Sequence, residues 1–237
     1  MTDTNGQSSA LMNERFELLL QRVETGFCDL MTLLSGGFIP SEPDFKLKTM
    51  YEMADRAAPS DVFCKNRRYT GFAIACEQYF KRGLKVLDLH CFGGGLVFDF
   101  LLRGHKAIGL YPSHFFEQTG GGYWRILSKF LFSADAAKTF TIVDVDNAPQ
   151  KFDVICAWDG LELLECNALQ VLCENVKKHL SVSGLFMGAV PLSQGKDEAW
   201  WKSQFADFDF IEELPLTPEQ LPKTTVELLF PFAAMLK

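Results

Sequence analysis

The feature that most constrains this chain is Lys85-Val86-Leu87-Asp88-Leu89, an aliphatic and β-branched run that a glycine-rich turn, Gly93-Gly94-Gly95, soon stops. A run this short between such signals suits a buried strand, not a helix. Behind the turn, residues 96–102 return to helical spacing, and Ala107-Ile108-Gly109-Leu110-Tyr111 reads as a second strand. Strand, turn, helix and strand form the opening of a βαβ unit. In a doubly wound sheet that turn stands at the carboxyl end of the first strand, where N–H groups at the helix start face a ligand.

The remainder of the chain continues the alternation. Residues 140–145 and 152–157 read as the third and fourth strands, preceded by a loop and helical region over 112–138. Residues 161–179 form an amphipathic helix, and Gly184 precedes a strand at 185–190. The pattern predicts an α/β fold, doubly wound and mostly parallel, with helices on both faces. In the tail, Trp200-Trp201 lies in a short helix, and strands at 208–214 and 226–236 suggest an antiparallel pair at the sheet edge. Upstream, apolar residues at helical spacing over 13–34 and Pro40 and Pro43 in the loop beyond separate an N-terminal helical extension, residues 1–45, from the main domain, residues 46–237. The extension's apolar stripe predicts packing on the main domain, with a lid, a homodimer or protein-partner contact, or a membrane-surface helix as the alternative.

Charge and cysteine usage narrow the function classes. Lys plus Arg number 23 against 30 Asp plus Glu, a net charge of −7, which disfavours a dedicated nucleic-acid binder. The seven cysteines are scattered and never spaced as CxxC, so reduced thiols in a cytoplasm are expected, with no zinc site and no other metal. Residues 1–9 are polar and lack the pattern of a signal peptide, and no apolar run reaches the roughly 18 residues of a membrane span.

The string from Val86 to Leu96 resembles the cofactor motif of the class I S-adenosylmethionine-dependent methyltransferases, apolar-apolar-Asp-x-Gly-x-Gly-x-Gly. Further likenesses follow in the family's order. They are Arg103 to Ser113, Phe152-Asp153-Val154-Ile155, Leu161-Glu162-Leu163-Leu164, and His179 to Leu185 against the family's leucine-x-proline-glycine-glycine turn. The nearest flavour is the small-molecule O-methyltransferases of ubiquinone-biosynthesis type, in which an Arg in a segment like Asn66-Arg67-Arg68-Tyr69 precedes the first strand. The resemblance implies S-adenosylmethionine as cofactor, with Asp88, His90, Cys91, Gly93 and Gly94 at the turn and Tyr111 after the second strand. It places Arg67 or Arg68 at the cofactor carboxylate, Asp144 or Asp146 by the adenine, and Ala157 and Trp158 on the methyl-transfer side. The implied reaction is methyl transfer to oxygen or nitrogen of a small metabolite, with His90, His114 and Asp159 as candidate proton acceptors.

The sequence also departs from the family's pattern. His90 and Phe92 stand where the first two motif glycines belong, Gly94 keeps the third, and Tyr111 replaces the acidic residue that would hold both ribose hydroxyls. A carboxylate accepts two hydrogen bonds from a diol, whereas a phenol offers one oxygen and more bulk. Two readings therefore stand: a methyltransferase with a rearranged pocket, or a catalytically silent methyltransferase-like binding or scaffold subunit that has lost the cofactor. A nicotinamide-dependent oxidoreductase is a third class, but the G-x-G-x-x-G spacing is absent. Trp200, Trp201, Phe205, Phe208 and Phe210 read first as core under the edge strands and second as the roof of an acceptor pocket.

Overall fold

Apolar side chains at alternate positions build a central sheet of seven strands in the computed structural model, which describes residues 46–47, 68–113, 122–158, 160–193, 195–211 and 229–237. In chain order the described elements are β1 (Lys46–Leu47), α1 (Thr70–Phe80), β2 (Lys85–Asp88), α2 (Gly95–Leu102), β3 (Lys106–Tyr111), α3 (Trp124–Leu127) and β4 (Leu131–Ser133). There follow β5 (Ile142–Val143), β6 (Phe152–Ala157), a 3-10 turn (Leu161–Leu163), α4 (Cys166–His179), β7 (Leu180–Pro191), α5 (Glu198–Gln204), β8 (Phe208–Phe210) and β9 (Leu229–Leu236).

The sheet runs β4-β3-β2-β6-β7-β9-β8. Strands β4, β3, β2, β6 and β7 are mutually parallel, and β9 lies antiparallel between β7 and β8. This is the expected doubly wound α/β architecture with its antiparallel C-terminal pair. The two-residue period divides the core. Val86, Val154, Cys156, Leu185 and Met187 face one cluster, with Phe72, Phe98 and Phe100. Leu87, Ile155, Ala157 and Phe186 face the other, with Leu169, Leu172 and Val176 of α4. Strands buried on both faces need helices on both sides, and α1 and α2 cover one while α4 and α5 cover the other.

Two polar links set where the elements begin. Asp99 of α2, its side chain wholly buried, accepts from Arg68, from the amide of Tyr69 and from the hydroxyl of Thr70, which fixes the start of α1. Asp153 accepts from Arg82 at 2.6 Å and from the Lys85 amide at 2.8 Å, tying the entry of β2 to that of β6.

Two elements differ from expectation. The third strand of the main sheet is β4, only three residues long, and not the segment 140–145. Within that segment only Ile142 and Val143 are strand, paired with Lys46 and Leu47 in a separate two-stranded sheet. Strand β7 begins at Leu180, earlier than the expected 185, because residues 181–184 bulge out between the pairs Phe152 with Leu180 and Val154 with Leu185. Gly184 permits the bulge: a Cβ there would lie 2.9 Å from the Phe152 carbonyl oxygen. The helices expected over 13–34 lie outside the described residues.

Candidate functional site

Strand β2 ends at Asp88, and the chain leaves it in a turn held closely by its neighbours. The Leu89 amide donates to the Cys156 carbonyl at 2.8 Å, and the Cys91 amide to the Leu110 carbonyl at 2.9 Å. The His90 amide donates to the Asp88 carboxylate at 3.3 Å, and the Gly94 amide to the Cys91 carbonyl at 2.7 Å. Four amides of the stretch expected to face a ligand thus have partners inside the protein. The carbonyls are engaged as well, Phe92 receiving the Trp124 indole N–H at 2.6 Å and Gly93 the Tyr123 amide at 2.8 Å.

Phe92 itself adopts a φ of +43°, a left-handed conformation uncommon for a bulky residue. Its ring is buried, tilted against Tyr111 at 5.3 Å between centroids and stacked on His90 at 5.1 Å with 6° between planes. His90 and Tyr111 also meet, at 5.7 Å. Three rings therefore gather at the carboxyl ends of β2 and β3.

Beside this cluster lies a pocket lined by Leu89, His90, Pro112, Asp135, Ala157, Gly160 and Leu161, among others. The space open to the centre of a water molecule there is about 20 Å³, room for about one water. Past Asp135, Leu163 and Leu164 it widens into a shallower groove of about 220 Å³ reaching Lys138 and Glu165. Asp135 owes its place to β4 and to the segment beyond it, which Asn175 of α4 clamps by donating to the carbonyls of Ala136 and Lys138. Its own carboxylate accepts the Ala137 amide at 2.9 Å.

The other candidate residues scatter. Arg68 is paired with Asp99 and lies over the Phe98 ring. Ala157 lines the pocket, whereas Trp158 is buried edge-on against Phe72. Asp144 and Asp146 stand in the turn that follows β5, where the Asp144 carboxylate accepts the amides of Asp146 and Ala148, and neither lines the pocket. Arg67, His114 and Asp159 lie outside the described residues.

Sequence reasoning passed over Asp135, Pro112 and Gly160. The one signal for Asp135 was an acidic residue soon after the apolar triplet Phe130-Leu131-Phe132, within a region taken as loop and helix. The thiols of Cys91 and Cys156 are pushed well up, by burial first and by the Asp88 charge second, so neither is a nucleophile. Among the described residues no cluster of His, Cys, Asp or Glu is arranged to hold a metal, and no helix is long and apolar enough to cross a membrane. Trp201, Phe205 and Phe208 belong to the core around Phe186.

No protein-family model matches the sequence, and no curated protein is similar to it. Solved structures are similar in fold. A TehB-like methyltransferase from Corynebacterium glutamicum superposes with a TM-score of 0.53 at 16% identity over 70% of this chain and 88% of its own. A methyltransferase from Clostridium acetobutylicum gives 0.53 at 13% identity over 74% and 95%. The 1,6-didemethyltoxoflavin-N1-methyltransferase of Burkholderia thailandensis, solved with its substrate and S-adenosylhomocysteine, gives 0.54 at 13% identity over 81% and 99%. The fold of this chain is that of the class I S-adenosylmethionine-dependent methyltransferases.

Proposed function

We propose that the chain is an S-adenosylmethionine-dependent methyltransferase acting on oxygen or nitrogen of a small metabolite. The observation that carries this reading is the Asp135 pocket, an apolar recess with one carboxylate at the carboxyl ends of parallel strands, where open α/β sheets bind ligands. Leu89, Pro112, Ala157 and Leu161 would give a purine apolar walls once the recess opens beyond its present room for about one water, and Asp135 would accept from the exocyclic amine. Tyr111 and Phe92, which pack against His90 at the edge of the recess, would face the ribose and methionine end.

Bound there, S-adenosylmethionine supplies a methyl group on a positively charged sulfur. The chain's part is to orient it and to hold the acceptor in line, and positioning of this kind supplies much of the acceleration in a displacement. Asp88, buried and close beneath the turn, adds negative charge near that end. Among the candidate proton acceptors, His90 lies at the pocket itself. Solved neighbours that take S-adenosylmethionine, and one of which methylates a small heterocycle, favour the same assignment.

A second reading, the catalytically silent subunit, draws on the ring cluster and on the amides of the turn already being satisfied. Thermal unfolding in the presence of S-adenosylhomocysteine separates the two. Ligand at 100 times its dissociation constant stabilises by about 2.7 kcal/mol. A rise in Tm with S-adenosylhomocysteine but not NAD supports the enzyme, and transfer of a labelled methyl group to a metabolite extract completes it. No rise at millimolar ligand, for this protein and for a variant lacking the His90 ring, leaves the silent subunit.

A further inference from the structure

We propose that His90 is the gate of this site, its imidazole standing in the ligand's place until a ligand displaces it. The inference rests on the cofactor reading above and concerns access to that same pocket.

The topology locates the crevice. Strand β2 pairs with β3 on one side and with β6 on the other, so the chain's direction of winding reverses between β2 and β6. Ligands of open α/β sheets enter there, outside the carboxyl ends of the strands. His90 follows β2 and Gly160 follows β6, and the two meet across that crevice. A Cβ built on Gly160 would fall 1.9 Å from Nδ1 of His90 and 2.0 Å from Cε1. The imidazole fills the space that a side chain at 160 would take, and it bridges the opening from one strand end to the other.

The contacts on each side suit a ring that closes by packing. One face of the imidazole lies parallel to Phe92, and Tyr111 leans against it. Gly160 is kept beneath it by its φ of +92° and by the carboxylate of Glu162, which accepts the Gly160 amide at 2.9 Å. His90 is half-buried, whereas Phe92 and Tyr111 are buried. Rotation about side-chain bonds suffices to open the crevice, with no rearrangement of β2 or β6. With the ring in place, the pocket that it lines has room for about one water.

Calorimetric titration of S-adenosylhomocysteine into the protein and into His90→Ala tests this, with His90→Ser as a second variant and circular dichroism confirming that each is folded. An aromatic stack released on binding weakens the ligand by about two- to tenfold, so removal of the ring is expected to tighten binding by that factor. In the unaltered protein, the His90 ring protons, shielded by Phe92, are expected to shift downfield at saturation. Binding by the variants alone also supports the gate, as one held shut. Equal or weaker binding by both folded variants, with unmoved His90 resonances, overturns the gate while leaving the cofactor reading intact. Absence of binding by all three proteins overturns the cofactor reading and the gate with it.

Discussion

The Nδ1 atom of His179 lies 2.9 Å from the main-chain carbonyl of Gln150, in a wholly buried spot where the imidazole stacks on Phe140. On the far side of the ring, Nε2 accepts the Ile142 amide at 3.4 Å. A carbonyl on one side and an N–H on the other are both satisfied by the neutral ring with its proton on Nδ1, and a second proton on Nε2 would face a donor. One imidazole therefore fastens both ends of the 142–150 segment to the C-terminal end of α4.

Stability should consequently fall in mild acid. Burial holds His179 below the usual histidine value, against an opposing contribution from the Gln150 carbonyl, and burial does the same to His105, opposed by the charge of Glu77. The unfolded chain protonates these groups near the ordinary pKa of about 6.5 before the folded chain does. The stability they contribute is complete above that pH and is lost as pH falls through it toward the lowered folded values. The expected slope is at most about 1.4 kcal/mol per pH unit for each histidine. Urea unfolding at pH 7.5, 6.5 and 5.5 measures it, and His179→Asn should give a shallower slope. An unchanged slope in that variant removes His179 from the account.

Asp99→Ala should be among the most damaging changes on the α1 side. It leaves the Arg68 guanidinium, the Tyr69 amide and the Thr70 hydroxyl without their common acceptor. Breaking a buried pair costs about 3 to 5 kcal/mol, and the partial exposure of Arg68 places this case near the lower end. Asp99→Asn, which keeps an acceptor, should lose about half as much. Equal Tm values for both variants and the parent would show that α1 is held by its apolar face alone.

How far the sequence discloses this molecule depends on the length of each signal. Strands β2, β3 and β6 are four to six residues long and apolar on both faces, so their residue types alone mark them. The edge strand β4 has three residues and a single neighbour, and a triplet such as Leu131-Phe132-Ser133 shows no period. Residues 140–145 carry a stronger strand signal, because Phe140, Ile142 and Val143 are buried against another partner, the His179 side of α4 in the case of Phe140. On the proposed function, misplacing the third strand also displaces the acidic residue assigned to the purine, from Asp135 to Asp144 and Asp146. The glycine turn was legible as a turn, but the engagement of its amides by Cys156 and Leu110 depends on strand register, which no local pattern encodes.

Asp135→Asn provides a test of that displacement. On the proposed function, loss of a charged acceptor weakens S-adenosylhomocysteine by about 1.5 to 3 kcal/mol, or roughly ten- to a hundredfold. Asp144→Asn should leave affinity unchanged, since the Asp144 carboxylate is occupied with its own turn. The opposite ranking in a titration would return the purine to the region after β5.

The tight approach of the turn to β3 should be visible at Gly109. A methyl group there would lie 2.4 Å from the Cβ of Cys91 and 2.7 Å from its sulfur, inside a closely packed strand. Gly109→Ala is expected to destabilise by about 1 to 3 kcal/mol. Adding Cys91→Gly should recover part of the loss, so the double variant is more stable than the sum of the single changes implies. Strict additivity in urea unfolding would show that the strain is relieved elsewhere, for example at Val97, which the same methyl would meet at 3.0 Å.

Thiol labelling reports on the turn without any ligand. Burial pushes Cys76 and Cys173 up to about 12, and burial with the Asp88 charge holds Cys91 and Cys156 well above the ordinary thiol range, whereas Cys166 is exposed. Thiolate is the reactive form and access is needed as well. Iodoacetamide at pH 7.5 should therefore modify Cys166 readily, and Cys76, Cys91, Cys156 and Cys173 only as fast as the protein unfolds. Peptide mapping separates these from Cys28 and Cys64, which lie outside the described residues. Native-state labelling of Cys91 ahead of Cys156 would mean that the backbone between β2 and α2 opens as a unit. Movement at the pocket would then belong to the whole turn and not to the His90 side chain alone.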